Sequence, residues 1–339
     1  MRPLCALVGV LLGACSRSEV APLEPVEPVT LDCPTDVSDP RLPRLDAGRS
    51  NVIDANEFTD GPVTSYRWEV VPEDCDAVLP SPAKVVAGER TALLTFTPQR
   101  PDRHRIRLAV GGAFGQQASC EFEVKVEGQG LRVEACWDTS TTADLDLYVH
   151  SPRNQDDFFS QIGAGNLYGL TPSTCNPANC SAELRFDAVR TDFGYSDSPL
   201  VDCETGPSPA AFAALGRCPN PRAGIDDNQT LASGVAELAQ IDAPRDGDTF
   251  RVMLHNFGNR AANKTAIFVY CSGTLVGALA GPSRPPDFRA PEGSTLVGLM
   301  WRAADVTAHS KDGQLTCSVT PLTLPGTTEP FVTIDDPSY

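Results

Sequence analysis

Histidine is scarce in this chain, with four residues in 339, and only 3 Met and 3 Trp accompany it. That poverty bears first on metal and nucleophilic chemistry. The H-E-x-x-H of a zinc protease is absent, no C-x-x-C pair recurs at zinc spacing, and His104, His150, His255 and His309 are scattered. Missing too are the G-x-S-x-G elbow of an α/β-hydrolase and any glycine-rich phosphate loop, so no nucleotide is expected. No Ser or Cys stands beside a recognisable base in the sequence, and no catalytic residue is assigned. The expectation is therefore a non-enzyme, with glycoside hydrolysis as the open alternative because its two carboxylates, about 5 to 9.5 Å apart, are paired in space rather than in sequence.

Positive charge is short as well. Against 44 Asp and Glu there are 27 Lys and Arg, a net charge of -17, which repels phosphate backbones and anionic headgroups and excludes nucleic acid as a partner. No hydrophobic run approaches the roughly 20 residues of a transmembrane helix. No amphipathic helical period stands out either, and the short run from Ala210 to Leu215 is the one helical candidate.

Turn formers and cysteines are abundant. Thirty Pro and 27 Gly break helices and long strands, which points to an all-β chain long enough for two domains. Twelve Cys without zinc spacing read as disulfides, hence a compartment outside the reducing cytosol.

The first residues agree with export. Arg2 precedes an apolar run from Pro3 to Leu12, too short to span a bilayer, and the run ends in Leu12-Gly13-Ala14-Cys15. These four residues resemble the lipobox of bacterial lipoproteins, which implies cleavage before Cys15 and acylation of that cysteine; ordinary cleavage after Ser16 is the alternative. Such a protein would sit in the cell envelope, held at the outer membrane by acyl chains at about 0.8 kcal/mol per buried methylene. Residues 16–28 contain Glu-Pro-Val-Glu-Pro-Val and read as a stalk.

Residues 29–127 show four alternating segments: Tyr66, Trp68 and Val70; Leu94 and Phe96; Ile106, Leu108 and Val110; and Cys120, Phe122, Val124 and Val126. Trp68 belongs to the apolar face and is expected in a core, whereas His104 between Arg103 and Arg105 reads as a solvated edge residue. Ser65-Tyr66-Arg67-Trp68 and Thr95-Phe96-Thr97-Pro98 resemble the PKD and related immunoglobulin-like domains of bacterial surface proteins. That resemblance implies a β-sandwich acting as a spacer; Arg103-His104-Arg105 stands where those domains carry Gly-x-Tyr.

Residues 128–322 begin with a strand at 131–138, followed by Asp144 to His150, where Leu145, Leu147 and Val149 share one face and Asp144, Asp146, Tyr148 and His150 the other. Further strands are expected at 182–186, 250–254, 267–271, 296–301 and 315–319. Trp137-Asp138 with Asp144-Leu145-Asp146-Leu147-x-Val149-x-x-Pro152, supported by Ile225-Asp226-Asp227-Asn228 and the Asp246-Gly247 turn, resembles exported jelly-roll modules related to the pre-peptidase C-terminal domain, including those of myxobacterial-type envelope lipoproteins. That resemblance implies a second β-sandwich, interrupted by a loop insertion at 151–222 rich in Pro, Asn, Ser and Cys. Such an insertion either carries recognition or is decoration. Residues 323–339 read as a tail.

With Cys5 removed and Cys15 acylated, ten cysteines remain. Spacing suggests Cys175 with Cys180 and Cys203 with Cys218, while Cys271 and Cys317 lie on strands that can meet across a C-terminal sheet; partners of Cys33, Cys75, Cys120 and Cys136 are left open. Asp144, Asp146, Asp226 and Asp227 are either Ca²⁺ ligands, since Ca²⁺ takes six to eight oxygens at about 2.3 to 2.6 Å, or a solvated strand face and a turn. The functional expectation is a non-catalytic envelope lipoprotein that presents a loop-rich face to an unidentified protein or glycan. Its alternatives are a carbohydrate-active or carbohydrate-binding protein and a purely structural component.

Overall fold

A computed structural model describes residues 27–47, 50–71, 73–74, 80–81, 85–96, 98, 102–137, 144–151, 153, 159–162, 166–185, 188–198, 215–223, 237–257, 265–281 and 299–334. Cys15 and the stalk up to residue 26, Cys75, Cys203, Asp226, Asp227 and residues 210–214 lie outside them, as does the side chain of Asp144. The chain is largely β-structured, with several sheets and, among the described residues, two large hydrophobic cores.

The first core is built by alternation. A four-stranded sheet runs in the order Leu45–Asp46, Gln117–Glu127, Asp102–Gly112, Val63–Val71, and a three-stranded one in the order Asn51–Asp54, Leu93–Phe96, Val85–Ala87. Trp68, Ile106, Leu108, Phe122 and Val124 from the first sheet and Ile53, Leu94 and Phe96 from the second share this core. Trp68 is buried, and its indole N–H donates to the Thr91 carbonyl at 3.0 Å, which removes the cost of burying the indole nitrogen unpaired. His104 is not a solvated edge residue. Its strand is flanked by neighbours on both sides, its side chain falls on the same face as Ile106, and it is 4% exposed with its ring edge-on to Phe96 at 5.8 Å. On the opposite face arginines and glutamates form an exposed cross-strand ladder: Arg103 with Glu123 at 2.7 Å, and Arg107 with Glu69 at 3.0 Å and Glu121 at 2.9 Å.

The second core lies between a five-stranded sheet and a six-stranded sheet. The five-stranded one runs Arg222–Ala223, Glu237–Ile241, Leu131–Cys136, Ala266–Cys271, Thr274–Ala280. The six-stranded one runs Thr174–Cys175, Asp144–His150, Thr249–Phe257, Leu299–Lys311, with Gln314–Pro321 and Phe331–Ile334 sharing its far edge. Leu131, Val133, Ile267 and Val269 face Leu145, Leu147, Val252, Leu254 and Trp301 across it. Phe331–Ile334 pairs with Leu299 to Arg302 and Val332 packs on the core, so the sheet continues past residue 322 into the stretch read as a tail. Residues 182–185 form a bend and irregular chain rather than the expected strand, and the preceding turn, Pro177–Cys180, is helical. Pro at the first helical position and Asn176 as N-cap explain that turn: Asn176 Oδ1 accepts from Ala178 N at 2.8 Å.

Disulfides join Cys33 to Cys120, Cys175 to Cys180 and Cys271 to Cys317, and Cys136 and Cys218 are disulfide-bonded as well. The Cys271–Cys317 bond does not lie within one sheet; it joins the five-stranded sheet to the six-stranded one. Cys33–Cys120 closes a loop of 87 residues around the first core. Constraining an unfolded loop of that length is worth about 4 to 5 kcal/mol. Replacing both residues by Ser is therefore expected to lower the unfolding transition of the first core by that amount, read by calorimetry as an earlier transition beside an unchanged second one.

Candidate functional site

The outward face of the Asp144–His150 strand carries the residues singled out from the sequence. The strand is buried on both faces: Leu145, Leu147 and Val149 point to the main core, while Tyr148 and His150 are 4% and 0% exposed on the other side. That second side is not solvated because the insertion folds back over it. Tyr148, Met253 and Met300 pack against Ala178 and Ala188 of the insertion in a core of their own. Asp146 stands opposite His255, with Oδ2 4.0 Å from Nδ1, and the His255 ring meets Tyr148 edge-on at 6.0 Å. Asp144 opens the strand opposite Phe257. Of the four aspartates expected to gather round Ca²⁺, only the Asp146 side chain is described, and it lies beside an imidazole. Among the described residues no group of three metal-ligating side chains comes together.

The insertion is held by polar contacts that the sequence reading did not single out. His150 Nδ1 lies 2.8 Å from Thr174 Oγ1, and the Thr174 carbonyl accepts from Asn179 Nδ2 at 2.7 Å and from Thr191 Oγ1 at 3.0 Å. Asn179 Oδ1 accepts in turn from Asn176 N at 3.1 Å, which completes a reciprocal cap on the helical turn. The Arg190 guanidinium donates to the carbonyls of Ser181 at 2.8 Å and Ala182 at 3.0 Å; burial, with Arg217 nearby, pulls its pKa down. The sequence signal for this cluster was Asn176-Pro177-x-Asn179, a helix start inside a segment dominated by loop formers.

At one end of the second core, Tyr195 bolts the insertion to the Asp246-Gly247 turn region. Its hydroxyl donates to Asp248, Arg153 Nη2 donates to the same carboxylate at 3.2 Å, and the guanidinium groups of Arg153 and Arg245 lie over the ring at 5.6 and 5.4 Å. Phe193 and Phe250 complete the cluster at 6.3 and 6.5 Å from the Tyr195 ring. Because two cations already lie over it, this ring is a fastening point and not an open platform for stacking a sugar. Arg245, which stands over the ring from the neighbouring turn, is exposed, and elsewhere in the insertion Leu184 and Val189 are exposed as well.

The four histidines do not gather at one site. His104 and His150 are inside cores, His255 is beside Asp146, and His309 is exposed with Nε2 3.1 Å from Ser318 Oγ. The structure thus does place a serine beside a histidine, across the exposed hairpin of Leu299–Lys311 and Gln314–Pro321. Among the described residues no carboxylate is paired with that imidazole, so the pair lacks the orienting third group of a triad.

No protein-family model matches the chain, and no curated protein sequence matches it.

The contacts of the insertion set two expected outcomes. Asn179 is fully buried with both ends of its amide used, so Asn179→Ala leaves the Thr174 carbonyl and the Asn176 N–H short of partners; a loss of about 2 to 3 kcal/mol is expected in denaturant unfolding. Burial, then the hydrogen bond to Asp248, raises the Tyr195 pKa above its ordinary 10.0. The folded state holds this proton more tightly than the unfolded chain, so the contribution is full below about pH 10 and is lost as pH rises further. Tyr195→Phe should therefore flatten the fall of Tm above about pH 10, measured against the wild type in the same buffers.

Proposed function

We propose that this chain is a non-catalytic lipoprotein of the cell envelope, acylated at Cys15, whose first β-unit is a spacer and whose second displays the 151–222 insertion to an envelope protein or glycan. The observation that carries the spacer role is where the chain enters and leaves the first core. It enters at Val29, whose N–H donates to Gln116 Oε1 at 3.3 Å beside the turn between Asp102–Gly112 and Gln117–Glu127. It leaves at Glu127, the opposite end of an eleven-residue strand, about 35 Å away at 3.2 to 3.4 Å per residue. A unit threaded end to end in this way keeps its C-terminal neighbour at a distance from the N-terminal anchor.

On this reading the first unit is a PKD or immunoglobulin-like sandwich and the second a jelly-roll related to pre-peptidase C-terminal modules. Support comes from the alternating Tyr66-x-Trp68 strand in the first core and from the two sheets that enclose the second. Display is supported by the exposed side chains of Leu184 and Val189 on an insertion fastened to the second unit through Tyr195. Asp144, Asp146, Asp226 and Asp227 remain the proposed Ca²⁺ ligands; a rise in Tm at millimolar Ca²⁺ that is lost with Asp146→Asn is the expected sign, and an unchanged Tm rejects the metal.

The anchor is tested by intact-mass analysis of membrane-extracted protein. A mature chain starting at Cys15 with added lipid mass is expected, and Cys15→Ser should release the protein to the soluble fraction. A soluble wild-type chain starting at Arg17 would overturn the reading. Saturable binding of the whole mature chain on a glycan array, or specific capture of one envelope protein, separates recognition from a purely structural role, and hydrolysis abolished by a single carboxylate change would establish the enzyme instead.

A further inference from the structure

The turn between Asp102–Gly112 and Gln117–Glu127 ends in an aromatic ring exposed to water. Phe114 is 90% exposed, the most exposed of the large hydrophobic residues among those described. Its backbone is left-handed, with φ 59° and ψ 28°, and the next residue, Gly115, has φ 78°. Two consecutive positive φ values at a hairpin tip are the setting in which Asn-Gly or Gly-Gly is favoured; a bulky L-residue there is disfavoured by contact between its Cβ and the backbone. Folding gains nothing from the ring, because it packs on neither core. A bulky residue held in a disfavoured backbone conformation and fully in water motivates a search for a role outside the folded chain.

Three observations say what lies opposite this tip. The segment Gly111 to Ala118, Gly-Gly-Ala-Phe-Gly-Gln-Gln-Ala, carries no formal charge in a chain of net charge -17, so the tip itself meets no local electrostatic barrier at a headgroup layer. The tip also marks the end at which the N-terminal segment arrives: Val29 N donates to Gln116 Oε1, a Cβ on Gly112 would meet Val29 Cγ1 at 2.9 Å, and a Cβ on Gly61 would meet the Pro28 carbonyl at 2.7 Å. Finally, Val29 follows Cys15 by fourteen residues, a tether whose contour is at most about 50 Å.

We propose that the Phe114 tip inserts into the headgroup region of the membrane that holds the Cys15 acyl chains, so that the first unit meets the bilayer at a second point. The proposal rests on the lipoprotein reading. One aromatic side chain partitions too weakly to recruit a protein from solution, but the tether makes the second contact intramolecular, and a weak preference then suffices to orient the unit. The second unit, reached through Glu127 at the far end of the sheet, is thereby directed away from the bilayer.

The test uses the full acylated protein reconstituted into vesicles of phosphatidylethanolamine and phosphatidylglycerol. Phe114→Trp supplies the reporter, since Trp68, Trp137 and Trp301 are only 3%, 4% and 2% exposed and give a constant background. Blue-shifted emission of the added indole, and its quenching by lipids brominated high in the acyl chain, are the expected results. A companion variant, Phe114→Asn, suits the left-handed backbone and lacks the ring; it should keep or raise Tm while the 111–118 amides lose the slowed hydrogen exchange that vesicles impose on the wild type. Water-like emission without quenching, from a protein that carries its lipid mass and floats with the vesicles, overturns the insertion and leaves the lipoprotein reading intact. An indole exposed on vesicles but shielded in native envelopes overturns it in favour of a protein partner. A chain without lipid mass overturns the anchor itself and the insertion with it.

Discussion

The second unit depends on covering both faces of its six-stranded sheet. Tyr148, Met253 and Met300 stand on the side away from the main core and are no more than 4% exposed, so that side needs an apolar lid. Burying side chains of this size is worth about 1.5 to 3 kcal/mol each. The lid is the helical turn at Pro177–Cys180 with the 188–198 stretch, and it brings polar backbone into a dry place. Thr174, Asn176, Asn179, Thr191 and Arg190 exist in that arrangement to satisfy it. The insertion is therefore a structural layer of the second unit.

The edge of the same sheet imposes a second demand. Among the described residues, strand pairing along Asp144–His150 reaches Thr174–Cys175 at Val149 and His150 alone, so the Leu147 N–H on that side has no strand partner there. Glu237, fully buried on the five-stranded sheet, accepts from it at 2.7 Å. One carboxylate thus joins the two sheets polar group to polar group, while Cys271–Cys317 joins them covalently elsewhere. Arg132 and Glu134, paired at 2.6 Å on the outward face of the five-stranded sheet, are buried too. A protein of this kind fixes its register by buried polar pairing as much as by apolar contact, since a shift of one residue would strand each charge.

The first unit is simpler. One face of its four-stranded sheet is apolar and meets Ile53, Leu94 and Phe96, and the other carries the exposed Arg and Glu ladder. Such exposed pairs stabilise little individually, but they keep the outer face hydrophilic. The aromatic tip at Phe114 is the departure from that economy, and it lies at the end where the N-terminal segment arrives.

The sequence by itself determined most of the strands and the apolar side of each, because a period of two is local: Tyr66 to Val70, Ile106 to Val110, Phe122 to Val126 and Leu145 to Val149 all place their hydrophobic residues in a core. It also determined the leader and lipobox expectation, which needs only contiguous residues. What the tertiary structure decided is everything that depends on a second segment arriving from far away. Alternation showed that Asp146, Tyr148 and His150 share a face, but whether that face meets water was settled by Thr174, Ala178 and Ala188; the same holds for His104, whose burial depends on Phe96 arriving from another strand. Tyr195, Arg153, Arg245 and Asp248 are separated by up to 95 residues and have no joint signature in the chain. Periodicity reports the direction in which a side chain points, and only the packed chain reports what stands in front of it.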